Sequence, residues 1–288
     1  MRALIAGASG LLGTVLAPIL IDAGYEVVRH GHRGVSDVFC DLTDRDATIA
    51  LIDSVSPQVV INLVARTDVD MCERDPHGAY LLNVRPVENM VSAMRDHANA
   101  YLIHISTDQL YDSIGPSRED EIRLTNTYAL TKYASELAAA LMPSTILRTN
   151  FFGHSVFPGR KSFSDWLTDS LRDGSPITVF TDVVFNPLSM GTLGAMIGRV
   201  LEKRANGVFN LGSRGAMSKA DFAFELARIY GLPTHNVKRG LSSEMDLLAY
   251  RPKDMSMSCA CFETAFDVVL PTLEDEIKDL KRNSDARA

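Results

Sequence analysis

Residues 2–13 read RALIAGASGLLG, and the fold is decided there. Arg2–Ala6 is a short apolar run with strand character. Gly7, Gly10 and Gly13 punctuate a turn, and Leu11–Ala23 carries helical spacing up to Gly24. A strand, a glycine turn and a helix in immediate succession form the unit in which an open α/β sheet cradles a dinucleotide. The spacing is G-x-x-G-x-x-G rather than G-x-G-x-x-G. Glycine gives the backbone freedom and lets the main chain approach a pyrophosphate, while the helix start offers unpaired N–H groups and a partial positive charge. Gly7, Ser9, Gly10, Leu11, Leu12 and Gly13 are therefore the expected cofactor contacts, with a plain structural turn as the competing reading. The 19 residues from Ala3 to Ile21 carry no charge and follow Arg2, which imitates a signal peptide or a membrane span. Three glycines and Pro18 in that stretch favour the soluble reading.

Outward from this unit the pattern repeats. Glu26–Arg29, Val59–Val64 (VVINLV), Tyr101–Ser106 (YLIHIS) and Thr145–Arg148 read as strands. Val87, Met90, Val91 and Met94 share one helical face, and Thr127–Met142 is helix-like. Such alternation implies an α/β protein with a Rossmann-like, doubly wound parallel sheet and helices on both faces. Past residue 150 the regularity fades. Ser162–Arg172 looks helical, Leu193, Met196, Ile197, Val200 and Leu201 form a stripe, and Ser218 with Asp221 resembles a helix cap before Phe222–Tyr230. Residues 1–150 are expected to form the dinucleotide-binding domain. Residues 151–288 would be mainly a smaller C-terminal α+β substrate lobe, with the segment at about 187–213 returning to the first domain, and a ligand would lie in the crevice between them.

Composition narrows the function classes. Lys plus Arg number 29 against 36 Asp plus Glu, a formal net charge of −7, which disfavours a nucleic-acid partner. Four cysteines in 288 residues are too few for a disulfide framework and suit a reducing, cytoplasmic setting. No membrane partner is expected. Cys259 and Cys261 lack a second Cys or His pair nearby, so zinc is not expected. His104 lies inside an apolar strand and reads as a core histidine, and Trp166 reads as a packing anchor of the lobe.

The end of the second strand should select the cofactor. An acid there would hold the ribose 2′-hydroxyl of NAD, whereas a 2′-phosphate wants cations. The chain offers Arg29-His30-Gly31-His32-Arg33, with no acid before Asp37. NADP(H) is therefore favoured over NAD(H), with Arg29 and Arg33 as phosphate contacts, His30 as a further cofactor contact and a solvated basic loop as the alternative. Asp41-Leu42 after the next short strand would meet the adenine, or Asp41 would serve as a turn or helix cap.

Tyr128 and Lys132 stand at i and i+4 on one helix face. An ammonium beside a phenol favours the phenolate, which lowers the tyrosine pKa and lets it exchange a proton with a carbonyl oxygen. The lysine also reaches a ribose hydroxyl in this reading. Alone, the pair is equally an exposed i,i+4 contact. Ser106-Thr107-Asp108 closes the YLIHIS strand at the carboxyl edge of the sheet, where a hydroxyl can hydrogen-bond a reacting carbonyl.

Glycine turn, strand-end hydroxyl and Y-x-x-x-K in this order resemble the extended short-chain dehydrogenase/reductase family, within it the sugar-nucleotide reductases of the dTDP-4-dehydrorhamnose reductase type. The resemblance runs from GASGLLG through DLTD, VVINLVARTDVDMCERDP, LLNVRPVENM, HISTDQLYD, TYALTKYASE, ILRTNFFG, FNPLSMGTLG and GVFNLGS to Arg251-Pro252. It implies Thr107, Tyr128 and Lys132 as the catalytic trio. It implies that Ala65, Arg66, Asn83 and the 148–153 segment line the cofactor cleft, and that Val69, Asp108 and Phe151 lie near the sugar. The substrate would be a nucleotide-linked 4-keto-6-deoxysugar. Gln109 stands where these reductases often carry an aromatic residue and where related dehydratases carry an acid. A neutral amide cannot take the elimination proton, which disfavours a dehydratase and leaves Gln109 as a substrate contact. Val15 occupies the place of an acidic magnesium ligand in the first helix, so no metal site is expected. A cofactor-binding regulatory subunit that keeps the fold and a sugar-nucleotide 4-epimerase are the alternatives. A homodimer is compatible with all three.

Overall fold

The computed structural model describes residues 1–32, 36–95, 97, 99–156 and 161–285. β1 (Arg2–Ala6), β2 (Glu26–Gly31), β3 (Val38–Phe39), β4 (Val59–Asn62), β5 (Tyr101–Ile105) and β6 (Ser144–Thr149) follow one another along the first half. The second half contributes β7 (Phe151–Phe152), β8 (Ile177–Phe180), β9 (Val184–Phe185), β10 (Leu188–Ser189), β11 (Gly207–Leu211), β12 (Met217–Ser218) and β13 (Val237–Gly240). β1 to β6 and β11 make one seven-stranded sheet in the order β11-β6-β5-β4-β1-β2-β3. Every pairing in it is parallel. Winding reverses between β1 and β4, and that switch point opens the crevice in which such sheets hold their ligands.

Helices cover both faces. In chain order they are α1 (Leu11–Asp22), α2 (Arg45–Val55), α3 (Val69–Arg74), α4 (Pro76–Asn83), α5 (Arg85–Met94), α6 (Thr127–Ala139), α7 (Phe163–Arg172), α8 (Met190–Lys203), α9 (Lys219–Tyr230), α10 (Ala260–Phe266) and α11 (Leu273–Asp285). Leu12, Leu16 and Leu20 of α1 pack with Leu193 and Ile197 of α8 and Phe262 and Phe266 of α10 on one face. Ile52 of α2, Met90 and Val91 of α5 and Ala138 of α6 fill the other. Sandwiched strands need apolar residues on both sides, which is why β4 reads Val-Val-Ile before Asn62 and is buried throughout. A separate core joins Leu167 and Leu171 of α7, Phe222 and Leu226 of α9 and Ile277 of α11 to Val179 and Phe185. Ser162 and Ser218 start α7 and α9 by accepting the N–H of Asp165 and Asp221, each at 3.0 Å.

Three elements end two or more residues from where the sequence reading puts their C-terminal ends. β2 runs on to Gly31 because β3 pairs with His30 and Gly31. β4 stops at Asn62, whose Oδ1 accepts the Val64 N–H at 3.0 Å and bends the chain out of the sheet. α6 closes at Ala139, and the Ser144 hydroxyl donates to the carbonyl left open there at 3.0 Å. The uncharged stretch after Arg2 is β1, the turn and α1. Among the described residues no helix is long and apolar enough to cross a membrane.

Candidate active site

At the carboxyl ends of β1, β4, β5 and β6 lies a cavity of about 530 Å³. Gly7, Gly10, Leu11, Leu12 and Gly13 line one wall, and Thr107, Asp108, Gln109, Tyr128 and Lys132 line the other, with Ala65 and Phe151 between them. The glycine turn is built for close approach. Gly7 has φ +83°, a left-handed conformation that L side chains rarely adopt. The Gly7 and Ala8 N–H groups both donate to the His30 carbonyl, at 3.1 and 2.8 Å. A Cβ on Gly13 would stand 2.6 Å from the Ala8 Cα and carbonyl oxygen, so only glycine lets α1 sit this tightly on the turn. No side chain caps the start of α1, which leaves its first N–H groups to the cavity. These features fit the pyrophosphate of a dinucleotide.

The opposite wall is set by β5 and α6. Thr107 caps the short turn Asp108–Leu110, its Oγ1 accepting the Gln109 N–H at 3.2 Å. Asn126 caps α6 by accepting the Ala129 N–H at 2.8 Å, which puts Tyr128 in the first turn. A buried relay holds the helix: the Asn62 amide donates to His104 Nδ1 at 3.0 Å, His104 Nε2 donates to Ser135 Oγ at 2.9 Å, and Ser135 donates to the Lys132 carbonyl at 2.6 Å. Burial holds the His104 pKa well below its ordinary value, so the ring stays neutral. Behind the relay, Glu136 receives a bidentate Arg148 guanidinium, its closest contact 2.7 Å, with both side chains only 3% exposed.

The Lys132 ammonium donates to the Ile105 carbonyl at 2.8 Å. Burial pushes its pKa down to about 8, partly offset by Glu136. Burial, with the Asp108 charge, drives the Tyr128 pKa above the usual phenol value against the pull of Thr107. This corrects the expectation that the lysine makes the phenol acidic: the ammonium is spent on Ile105, and desolvation wins. Asp108 is also buried, which raises its carboxyl to about 6 against the pull of Asn150 and Lys219. The Asn150 amide donates to its Oδ2 at 2.7 Å. Gln109 Oε1 accepts from Asn126 at 3.3 Å, leaving the NH₂ end of its amide as a donor.

Several residues singled out in the sequence have other employment. Arg29 sits two residues before the end of β2 and chelates Asp37, with contacts of 2.6 and 3.0 Å. His30 is buried and bonds the Cys40 carbonyl at 2.9 Å, tying β2 to the chain after β3 rather than facing the cavity. Arg33 lies outside the described residues. The strand ends instead on Gly31, where a Cβ would collide with Ser36 Oγ and meet Ser9 Oγ at 3.1 Å. Ser36 Oγ is buried with no partner among the described residues. Ser9 is thus at the β2 end, off the cavity lining. Asp41 folds into a turn on Thr43, at 2.9 Å to its N–H. Leu42 is core, its carbonyl taking the Asn89 amide at 2.9 Å. Arg66 pairs with Asp75 at 3.0 Å. Buried Asn83 braces the Arg66 backbone at 2.7 Å and the Thr131 hydroxyl at 2.9 Å. Val69 packs with Tyr128, Cys72, Ala79 and Ala249 behind the phenol. In the 148–153 segment Thr149, Asn150 and Phe151 line the cavity, whereas Arg148 does not. Thr67 and Ser106 line it too. The sequence reading passed over Thr67, though it lies two positions after Ala65. Among the described residues no group of three His, Cys, Asp or Glu side chains is placed to hold a metal ion.

Comparison with known proteins fits this geometry. A family model described as the RmlD substrate binding domain matches residues 1–285. A probable low-salt glycan biosynthesis reductase of Haloferax volcanii is 28% identical, over 98% of this chain and 97% of its own. The dTDP-4-dehydrorhamnose reductase of Mycolicibacterium smegmatis is 32% identical, over 77% of this chain and 67% of its own. A crystal structure of a dTDP-4-dehydrorhamnose reductase from Clostridium acetobutylicum superposes with a TM-score of 0.89 at 26% identity, covering 99% of this chain and 100% of that one.

Proposed function

The chain belongs to the RmlD substrate binding domain family, and from that premise we propose that it is an NADP(H)-dependent reductase of a nucleotide-activated 4-keto-6-deoxysugar. One observation carries the reading: Thr107, Tyr128 and Lys132 line the same cavity as the glycine turn. Gly7 and Gly10–Gly13 would hold the dinucleotide. The β2 end supports a phosphorylated ribose, because Gly31 and His32 replace an acid there, and Asp37 is held by Arg29. Bound in this place, the nicotinamide would supply the hydride that the carbonyl carbon takes up.

The protein's own groups do the rest. Thr107 and Tyr128 present hydroxyls to the carbonyl oxygen, and Tyr128, protonated throughout the neutral range, gives up the proton that completes the alcohol. The phenolate left behind is reprotonated from solvent, and Lys132, anchored on the Ile105 carbonyl, would turn its remaining N–H groups to a ribose hydroxyl of the dinucleotide. Asp108, Gln109 and Phe151 bound the space for the sugar, and Thr67 adds a hydroxyl. Fixing the carbonyl against the reductant supplies much of the acceleration, up to roughly 7–11 kcal/mol for well-oriented partners. We place this chemistry in a reducing cytoplasm, as the four free cysteines suit, and leave a homodimer to light scattering.

The test is loss of NADPH absorbance on adding freshly made dTDP-, UDP-, GDP- and CDP-linked keto sugars. Tyr128→Phe should cut turnover by about 100- to 10,000-fold while NADPH binding persists. Near-normal turnover in that variant, or no reduction of any sugar by the wild type, overturns the reading.

A further inference from the structure

Ser242 and Lys253 meet on one carboxylate. The Ser242 N–H donates to Asp182 Oδ1 at 2.8 Å, and the Lys253 ammonium donates to Asp182 Oδ2 at 2.6 Å. Residues 242–253 therefore leave the lobe and return to it as a closed loop, a compact excursion of the kind that often carries function. Its tip crosses to the dinucleotide half. Asp70 Oδ1 accepts the Ala249 N–H and Arg251 Nη1, both at 2.9 Å, and Arg251 Nη1 also donates to the Ala249 carbonyl at 2.8 Å. The Tyr250 carbonyl accepts the Asn126 amide at 3.1 Å. Leu248 and Tyr250 are 55% and 46% exposed, yet Ala249 between them is 3% exposed and packs into the cluster of Val69, Cys72, Ala79 and Tyr128.

One methyl group from this loop thus stands behind the phenol. Its anchors are the two elements that flank Tyr128: Asp70 is the second residue of α3, and Asn126 is the cap of α6. The Asp70 and Arg251 side chains are both partly exposed, and ion pairs of that kind add little to stability. Position accounts for the pair better. A close-packed cluster passes on small displacements, and a reacting group moved by about 1 Å from a distance can lose about 100-fold in rate. We propose that the Asp70–Arg251 pair is a positioning latch, which holds Ala249 against the back of Tyr128 and so fixes the phenol for proton transfer to the sugar carbonyl. Neither residue of the pair lines the cavity, so the latch acts through Ala249 and not on the substrate. The inference rests on the reductase reading above and adds to it the support on which the proton donor depends.

The experiment is steady-state kinetics of the full chain with NADPH and whichever of the dTDP-, UDP-, GDP- and CDP-linked keto sugars the wild type reduces. Asp70→Ala and Arg251→Met should each lose about 10- to 100-fold in kcat, with KM and the NADPH dissociation constant within about threefold of wild type. The double variant should be no worse than Asp70→Ala by more than about threefold, because both changes open one latch. Arg251→Lys keeps a cation for Asp70 and should recover most of kcat. Ala249→Gly removes one methyl and no hydrogen bond, and should lower kcat with the pair intact. Leu248→Ala, on the exposed side of the same tip, should behave as wild type. Unchanged kcat in the pair variants overturns the latch, as does a loss confined to KM, which would make the loop part of the substrate site. A double variant that loses the product of the two single losses also overturns it. Should a pair variant fail to fold, Ala249→Gly decides, and normal kcat there refutes the inference. A wild type that reduces keto sugars while these variants match it sinks only this inference. A wild type that reduces none sinks the reductase reading and the latch with it.

Discussion

Replacing Gly13 by alanine isolates the contact on which the cofactor wall depends. Glycine to alanine inside a helix ordinarily stabilises by roughly 0.5–1 kcal/mol. At Gly13 the new Cβ would stand 2.6 Å from the Ala8 Cα and carbonyl oxygen, both backbone atoms that cannot swing aside. Ordinary contact begins near 3.4 Å, so α1 would have to lift by about 0.8 Å from a turn fixed by two N–H bonds to the His30 carbonyl. Overpacking of that kind costs about 1–3 kcal/mol, more than the helix gain. Gly13→Ala should therefore be destabilised by about 1–2 kcal/mol and should weaken dinucleotide binding, because the lifted amides line the cavity. Gly198 in α8 is the control: a Cβ there meets nothing within 4 Å. Gly198→Ala should gain about 0.5–1 kcal/mol and bind cofactor as before. Urea unfolding and NADPH titration of both variants decide the matter. If Gly13→Ala proves as stable as Gly198→Ala, the close-approach argument is wrong.

Arg29→Ala should leave the NADPH dissociation constant within about threefold, since its guanidinium serves Asp37 rather than a ligand; a loss of tenfold or more would show that it leaves Asp37 for the 2′-phosphate. Glu136→Ala strands the buried Arg148 charge and should cost about 3–5 kcal/mol in urea unfolding, and a cost under about 1 kcal/mol would refute the pairing argument. His104 has a folded-state pKa well below 6.5, so the unfolded chain takes up its proton first. Its contribution is present above pH 6.5 and lost as pH falls, by up to about 1.4 kcal/mol per pH unit. His104→Gln should flatten that decline, and parallel pH curves for variant and wild type would contradict it.

The parts of this fold written in local chemistry were legible. GASGLLG announces its turn because glycine spacing and helix start are local, and VVINLV announces a strand buried on both faces. Thr107, Tyr128 and Lys132 line one cavity because strand end and helix spacing put them at one sheet edge. What failed was set at a distance. Arg29 looked like a strand end until β3 extended β2 by two residues, and its partner, Asp37, lies across a bend. The lysine's effect on the phenol was misread because the Ile105 carbonyl, on another strand, captures the ammonium. Thr67 gave no signal, being a loop residue whose placement depends on the bend that Asn62 imposes.

The late strand β11 has a consequence for how the molecule is made. A ribosome releases β6 long before residues 207–211 exist, so the growing chain waits with an unpaired row of backbone groups along Ser144–Thr149. The nascent cofactor half is therefore exposed to strand-to-strand mispairing until some sixty residues more have emerged. Cutting the gene after residue 150 would make that waiting state permanent, and separately expressed halves should be recovered soluble only when produced together.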